Sequence, residues 1–294
     1  MVYLVLLSAT LIFTLQMIGT KAYNLHHHTG YATLFRFHGI HMAMAAVGTL
    51  VVTLIGGGME APLPETWLCA IAFGVLFILF FALYTLAMAT GPLSFTTLCG
   101  SSSSIIPITI GFLFWNEIMT APKIIGILLV LVTFYLCSTA GSGDGKKINS
   151  RWMVIAALML VCNGSVATIQ KLHPKLTDGA QVQEFYVIAF AVASLTSLLF
   201  YVLFRRFGKE EIPQVSSKLV LTAVGTGVCT CAGNLLLGLL SAWNVDASLI
   251  FPFTSGLQVI IATVLSAVLY KEKLTARSYI AIGVGIVALV LISV

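Results

Sequence analysis

The sequence predicts an all-α polytopic membrane protein with ten transmembrane helices arranged as two inverted five-helix repeats. The composition, ten apolar runs of helical length and a motif shared by the two halves predict it. Of the 294 residues, 59% are hydrophobic and 9% are charged, whereas about a quarter of the residues of an average soluble domain are charged. Because so few charges cannot cover a surface in contact with water, we expect the surrounding solvent to be lipid.

Ten continuous apolar runs have the length of a helix that crosses a bilayer, which needs about 20 residues. The first run lacks the basic start of a signal peptide and is longer than a signal-peptide core, so it counts as the first span. The predicted spans are 1–20, 31–56, 67–90, 94–115, 123–140, 152–172, 182–204, 218–242, 246–270 and 276–294.

A common motif indicates that the halves are repeats. The polar segment 141–151 divides the chain into a first repeat, 1–140, and a second repeat, 152–294. A shift of 155 residues aligns the Glu-x-x-Thr-Ala turn that begins at Glu117 with the one that begins at Glu272. Because five is an odd number, two five-span repeats in one chain must have opposite orientations. Inverted repeats around a site at the membrane midplane are typical of secondary transporters.

The same features resemble a known superfamily. The ten short-looped spans, the two Glu-x-x-Thr turns, Gly126 nine residues after Glu117, and Arg36 early in span 2 resemble the EamA-like ten-helix exporters of the drug/metabolite transporter superfamily. The resemblance covers the whole chain, although Ala281 replaces the glycine in the second half. It implies a central cavity lined mainly by spans 1, 3, 4, 6, 8 and 9, and alternating access by small organic metabolites or drugs.

Transport is also the function that the short loops favour, because no extramembrane domain is predicted. The expected protein is a secondary active transporter, an exporter in the plasma membrane of a bacterium, acting as a monomer or homodimer without cofactor or nucleic-acid partner. A proton gradient is a candidate energy source. The alternatives are a non-transporting membrane scaffold and a membrane-embedded enzyme. The spans contain no His-x-x-x-His or Glu-x-x-x-His motif and no Asp pair, which disfavours the enzyme.

Polar side chains deep within the spans are the candidate substrate-binding residues, because lipid cannot satisfy their hydrogen bonds. Hydrogen bonding between helices is the alternative role for each of them. Pro107 and Pro252 predict helices that are broken or kinked beside small hydroxyl residues, as in transporter sites. Because these side chains are uncharged, they favour an uncharged or zwitterionic solute. The candidates are Gln16, Tyr84, Ser101, Ser104, Asn163, Asn234, Ser255 and Gln258.

Two ionisable residues near span ends are candidates for coupling or gating, since charged groups within membranes are generally functional. Arg36 is five residues into span 2, where extension of its side chain to the interface is the alternative role. Glu184 begins span 7, where a helix N-terminus favours a carboxylate in any case. No metal site is predicted, because neither the His26–His28 run nor the pair His38 and His41 has an acidic or cysteine ligand nearby in sequence.

The orientation has two conflicting indications. The positive-inside rule places the loops after the odd-numbered spans in the cytoplasm and both termini outside, whereas the family resemblance implies cytoplasmic termini. The imbalance of eleven basic residues against three favours the charge rule. The three on the even side are Lys123, Lys171 and Lys175, and the eleven on the odd side are Lys21, Lys146, Lys147, Arg151, Arg205, Arg206, Lys209, Lys218, Lys271, Lys273 and Arg277.

Overall fold

The computed structural model describes residues 1–26, 30–90, 99–140, 150–208, 214–270 and 276–292, and these residues form helices and the turns between them. One helix corresponds to each predicted span, so the all-α class is confirmed. The helices are α1 (Val2–His26), α2 (Tyr31–Ile55), α3 (Pro64–Thr90), α4 (Ile105–Phe114), α5 (Ala121–Ala140), α6 (Ser150–Leu176), α7 (Val182–Phe207), α8 (Ser217–Ala242), α9 (Ala247–Tyr270) and α10 (Ala276–Ile292).

Local sequence signals set several of the helix ends. Helix α3 begins at Pro64, and proline suits the first position of a helix because its backbone angle is already helical and its missing N–H is not needed there. The Ser216 side chain accepts a hydrogen bond of 3.1 Å from the Leu219 amide and so caps α8. These polar and proline positions flank the apolar runs, which is why the runs predict the helix bounds closely.

Six of the described helices, α1 to α3 and α6 to α8, are long and apolar enough to cross a membrane. The apolar stretches of the other four helices are 10–17 residues long within the described residues. Large apolar side chains also cover the surface: Leu68, Phe114 and Leu221 are 73%, 73% and 74% exposed. Such a surface is unfavourable in water and is expected for helices that face lipid. The chain is therefore a helical membrane protein.

The helices form two compact units, and each takes residues from both halves of the sequence. Unit 1 comprises Met1–Ile78 and Ile169–Trp243, and unit 2 comprises Leu79–Thr168 and Asn244–Val294. The division falls within α3 and α6. The proposed repeats 1–140 and 152–294 describe sequence similarity and stay a prediction.

In unit 1, α2 and α7 pack antiparallel through small and hydroxyl residues. The Ser194 hydroxyl donates to the Gly39 carbonyl at 3.0 Å, and the Ser197 hydroxyl donates to the Phe35 carbonyl at 2.8 Å. Because the α7 number rises as the α2 number falls, the helices run in opposite directions. Hydroxyls that bond across to a neighbouring helix are satisfied without water, as the interior of a membrane protein requires.

The start of α3 joins unit 1 at a close backbone approach to α7. A Cβ atom on Gly74 would lie 2.5 Å from the Ala189 carbonyl oxygen, so only glycine fits there. The neighbouring Phe73 packs edge-on against the rings of Phe185 and Tyr186, with centroid distances of 5.3 and 6.0 Å. The side chain of Tyr186, on α7, therefore packs against α3.

In unit 2, α5 and α10 also pack antiparallel. A Cβ atom on Gly126 would lie 2.9 Å from the Ala288 carbonyl oxygen, and one on Gly285 would lie 3.1 Å from the Thr133 side chain. Phe134 and Ala288 belong to the buried cluster that these helices form. Gly126, one of the residues behind the family resemblance, thus lies at a helix contact.

Helix α9 runs without interruption from Ala247 to Tyr270 and contains Pro252. Of the two predicted alternatives at Pro252, the broken helix is therefore wrong, and the kinked helix stays a prediction. The interruption lies instead in the corresponding helix of the first half, where a helical turn at 99–102 and a turn at Ser103 and Ser104 precede α4. The amide of Ile106 donates to the Ser103 carbonyl at 3.1 Å, which satisfies the oxygen that Pro107 cannot reach.

Glu117 caps α9, and not the next helix α5 as its position in sequence suggests. Its two carboxylate oxygens accept hydrogen bonds from the amides of Ala247 at 2.9 Å and Ser248 at 3.3 Å. A carboxylate is favoured at a helix N-terminus by the unpaired N–H groups and the helix dipole. A left-handed residue, Asn116 with φ 53°, turns the chain so that the buried Glu117 side chain reaches α9. The second glutamate, Glu272, lies outside the described residues.

Candidate functional site

A chain of hydrogen-bonded polar side chains lies inside unit 1. Gln16 of α1 donates from Nε2 to the Thr230 hydroxyl of α8 at 2.6 Å. Nε2 of His41 in α2 lies 2.5 Å from the same hydroxyl, and the hydroxyl donates to the Thr226 carbonyl at 3.0 Å. Thr230 thus joins three helices through one oxygen atom, and the side chains of Gln16, His41 and Thr230 are all buried.

The chain continues from α8 to α6 and α7. Asn234 donates from Nδ2 to the Thr230 carbonyl at 2.9 Å, and its Oδ1 accepts from Nε2 of Gln170 at 3.4 Å. The Gln170 Nε2 also donates to the Tyr186 hydroxyl at 2.5 Å. We call Gln16, His41, Thr230, Asn234, Gln170 and Tyr186 the polar network. It contains two of the predicted ligands, Gln16 and Asn234.

The orientation of these amides follows from their neighbours. The Asn234 amide donates an N–H to the Thr230 carbonyl, so its oxygen faces Gln170. Gln170 must therefore direct its own N–H group towards that oxygen. Among the described residues, no protein donor reaches Oε1 of Gln16 or Oε1 of Gln170. The second N–H of Asn234 and the hydroxyl hydrogen of Tyr186 likewise have no protein acceptor there. The polar network therefore keeps spare acceptors and spare donors, all of them uncharged.

The serine segment, residues 100–104, lies in unit 2, where it contacts α6. Asn163 donates from Nδ2 to the Gly100 carbonyl at 3.1 Å and to the Ser103 hydroxyl at 2.6 Å. The buried Ser104 instead donates to the carbonyl of Ser101 at 3.0 Å. The structure thus brings Asn163 to Ser103 and not to Ser101 or Ser104, the residues of this segment that the sequence predicts to bind substrate.

The remaining predicted ligands also lie in unit 2. Tyr84 is half-buried at the end of α3 and packs on a cluster that contains Trp152 and Met159. Ser255 and Gln258 are half-buried on α9. These three side chains and Asn163 belong to unit 2, whereas the polar network belongs to unit 1.

The two coupling candidates lie at opposite ends of the antiparallel pair α2 and α7. Arg36 is buried in the second turn of α2. Glu184 is buried in the first turn of α7, where Oε1 accepts a hydrogen bond of 3.2 Å from the Glu60 amide. The two side chains therefore form no pair with each other. The hydrogen bond to Glu184 links the loop before α3 to the start of α7.

Sequence reasoning missed several buried polar residues near the end of α6. This helix extends to Leu176, beyond the apolar run, and contains Gln170, Lys171 and His173, which are 4%, 1% and 0% exposed. Lys171, counted above among the basic residues on the even side, lies at the end of the predicted span 152–172 and is a helical, buried residue. The missed signal is the position of Gln170 and His173 three residues apart, on one helix face. In the described residues, no group of three or more potential metal ligands comes together.

Comparisons with known proteins define the fold but not the family. No protein-family profile matches the chain, and no curated protein matches it. A solved crystal structure, described only as that of a protein, aligns with a TM-score of 0.78 over 99% of this chain and 95% of its own, at 14% sequence identity. At this identity the similarity shows a shared fold alone. The chain is a helical membrane protein whose fold occurs in a protein of known structure.

Proposed function

We propose that the protein is a secondary active transporter that moves small, uncharged or zwitterionic organic solutes by alternating access through a central cavity. The observation that carries this proposal is the polar network, which buries uncharged hydrogen-bonding groups with spare capacity among apolar helices. Such groups are unfavourable inside a membrane protein unless a neighbouring helix or a bound solute satisfies them.

The chemistry of the network supports the proposed substrate class. Its spare acceptors on Gln16 and Gln170, and its spare donors on Asn234 and Tyr186, match a solute that carries both N–H or O–H donors and oxygen acceptors. No carboxylate or ammonium group belongs to the network, so it offers no counter-charge to a strongly anionic or cationic solute. A solute that lacks matching polar groups would leave these buried donors and acceptors of the network unpaired, so we expect the site to reject it.

The wider proposal is that all ten helices cross the plasma membrane as two inverted repeats of the EamA type. In such a fold each helix is antiparallel to the helix five places later in the chain. The antiparallel contacts of α2 with α7, through Ser194 and Ser197, and of α5 with α10, through Gly126 and Gly285, support this arrangement. Export, against import, is supported only by the family resemblance.

Binding can be tested on the purified protein by thermal-shift measurements with a panel of amino acids, nucleosides and sugars. A ligand at 100 times its dissociation constant stabilises the folded state by about 2.7 kcal/mol. Asn234→Leu and Gln170→Leu should abolish the shift that a panel compound gives. Ser197→Ala removes a hydrogen bond between α7 and α2 outside the network and should retain the shift. Normal shifts in both network variants would show that the network is not the site.

A further inference from the structure

We propose that His173 is the proton-binding site that couples transport to a proton gradient, through its Nδ1 atom. The inference rests on the proposed function and names a coupling group that differs from both sequence candidates, Arg36 and Glu184. Four features support it: the protonation pattern that the neighbours impose, an unused buried nitrogen, the ring stacked on that imidazole, and the helix that His173 shares with the polar network.

The hydrogen bonds around His173 are complete on one side of the ring. Its Nε2 lies 3.0 Å from the Thr66 hydroxyl of α3, and that hydroxyl donates to Oε1 of Gln181 at 2.9 Å. The Leu63 amide also donates to Oε1 of Gln181, at 2.9 Å, and Nε2 of Gln181 donates to the Ala61 carbonyl at 3.0 Å. These contacts fix the orientation of the Gln181 amide.

The contacts also fix which imidazole nitrogen carries the hydrogen. Thr66 has one hydroxyl hydrogen, and it is used on the oxygen of Gln181. The hydrogen between Thr66 and His173 must therefore come from Nε2 of His173. A neutral imidazole has one N–H, so Nδ1 holds a lone pair. That atom is buried and has no hydrogen-bond partner among the described residues. It is an unused acceptor for one proton.

The aromatic surroundings suit a cationic ring. Phe185 stacks on the His173 ring at a centroid distance of 4.5 Å and an interplanar angle of 19°. A cation over the face of an aromatic ring is attracted by it, so an imidazolium gains an interaction that a neutral ring lacks.

Within the described part of the chain, no charged side chain is paired with the His173 ring. Glu184, on the helix that carries Phe185, uses Oε1 on the Glu60 amide. None of the charged groups on the surrounding segments forms an ion pair with His173. These groups are Lys171 and Lys175 of α6, Asp178 of the following turn, Glu60 and Glu65 before and within α3, and Glu184 of α7; the end of α8 beside this turn, Asn234–Ala242, carries no charged residue.

Coupling follows from the shared helix. Gln170 of the polar network and His173 lie three residues apart on α6, so a movement of α6 that closes the network on a solute also moves His173. An imidazolium is far better solvated by water than by an apolar interior. Nδ1 would therefore bind a proton from water in a conformation open to one side and release it to water on the other. The Nε2–H bond to Thr66 is kept throughout.

The test uses full-length protein in proteoliposomes with the amino acid, nucleoside and sugar panel, in the presence and absence of a gradient of one pH unit in either polarity. In one-to-one coupling, this gradient drives up to about tenfold accumulation, since a tenfold ratio corresponds to about 1.4 kcal/mol. His173→Gln keeps a donor for Thr66 but cannot take up a proton. It should lose gradient-driven accumulation and retain exchange of labelled for unlabelled solute. Thr177→Val, which alters a hydroxyl bonded to the His173 carbonyl, should retain both.

The outcomes separate this inference from the proposed function. Exchange in wild-type protein without any effect of the gradient overturns the inference and leaves the transporter proposal in place. Equal accumulation by His173→Gln and wild type overturns it too, as does a loss confined to Glu184→Gln. Absence of flux for the whole panel overturns the proposed function.

A measurement on wild-type protein decides the matter if His173→Gln does not fold. In ¹⁵N-histidine NMR spectra, assigned by the shift that Thr66→Val causes, His173 should be protonated at Nε2 alone at high pH. Its Nδ1 signal should move to the protonated position as the pH is lowered. A resonance protonated at Nδ1 alone, or one that does not titrate, would overturn the inference.

Discussion

The cap that Glu117 places on α9 gives the sharpest stability prediction. Glu117 is 7% exposed and accepts hydrogen bonds from two amides, those of Ala247 and Ser248. Glu117→Ala leaves both N–H groups buried without a protein acceptor, and each such group costs about 1–3 kcal/mol. We expect this variant to lose about 2–6 kcal/mol of its free energy of unfolding.

Two further variants test the reasoning at the same helix end. Glu117→Gln keeps one carbonyl oxygen and should lose about half as much as Glu117→Ala. Asp246→Asn breaks the 2.9 Å ion pair with Lys123, in which the Asp246 side chain is 38% exposed. Partly exposed ion pairs contribute about 0–1 kcal/mol. The assay is denaturant unfolding of detergent-solubilised protein, followed by tryptophan fluorescence. A loss below about 0.5 kcal/mol for Glu117→Ala, or an equal loss for Asp246→Asn, would refute the capping role.

Three other predictions concern packing, the serine segment and orientation. Gly74→Ala should cost about 1–3 kcal/mol by overpacking against Ala189, whereas Gly225→Ala, with nothing within 4 Å of the added Cβ, should stabilise by up to about 1 kcal/mol; equal effects in thermal unfolding would contradict the assigned contact. Asn163→Leu removes the two bonds from Asn163 to Gly100 and Ser103, and Ser103→Ala removes the bond from Asn163 and the bond of its own hydroxyl to the Gly100 carbonyl, so both variants should destabilise by similar amounts; a loss in only one of them would contradict this arrangement. A tag at the C-terminus should be labelled from outside intact cells if the charge rule holds, and protection of the tag would favour the orientation of the family.

Most of the fold was predictable from the sequence, because membrane helices are set by local properties. Apolar runs fix the presence of each helix, and flanking residues such as Pro64 and Ser216 fix where helices begin. Features that depend on contacts between distant residues could not be predicted in this way. Pro252 lies in an unbroken helix, and Glu117 caps a helix that begins 130 residues further along the chain. Neither outcome follows from local spacing.

The site was less predictable for the same reason. Gln16 and Asn234 were recognisable as polar residues in apolar spans, but their common partner, Thr230, resembles any helical threonine in sequence. Gln170 lies at the end of the predicted span 152–172 and His173 lies just beyond it, where the sequence becomes polar and burial is not expected. Tertiary packing extends the helix to Leu176 and buries both side chains. Burial of a polar residue is a property of the fold, and a single sequence shows it only when apolar residues surround that position.

The central claim is that the polar network binds the solute that the protein carries. Its most direct test is the flux of labelled amino acids, nucleosides and sugars into proteoliposomes that contain wild-type protein, Asn234→Leu or Ser197→Ala. We predict saturable flux of at least one compound by wild type and Ser197→Ala, and none by Asn234→Leu. Absence of flux for every compound, or wild-type flux by Asn234→Leu, would contradict the claim.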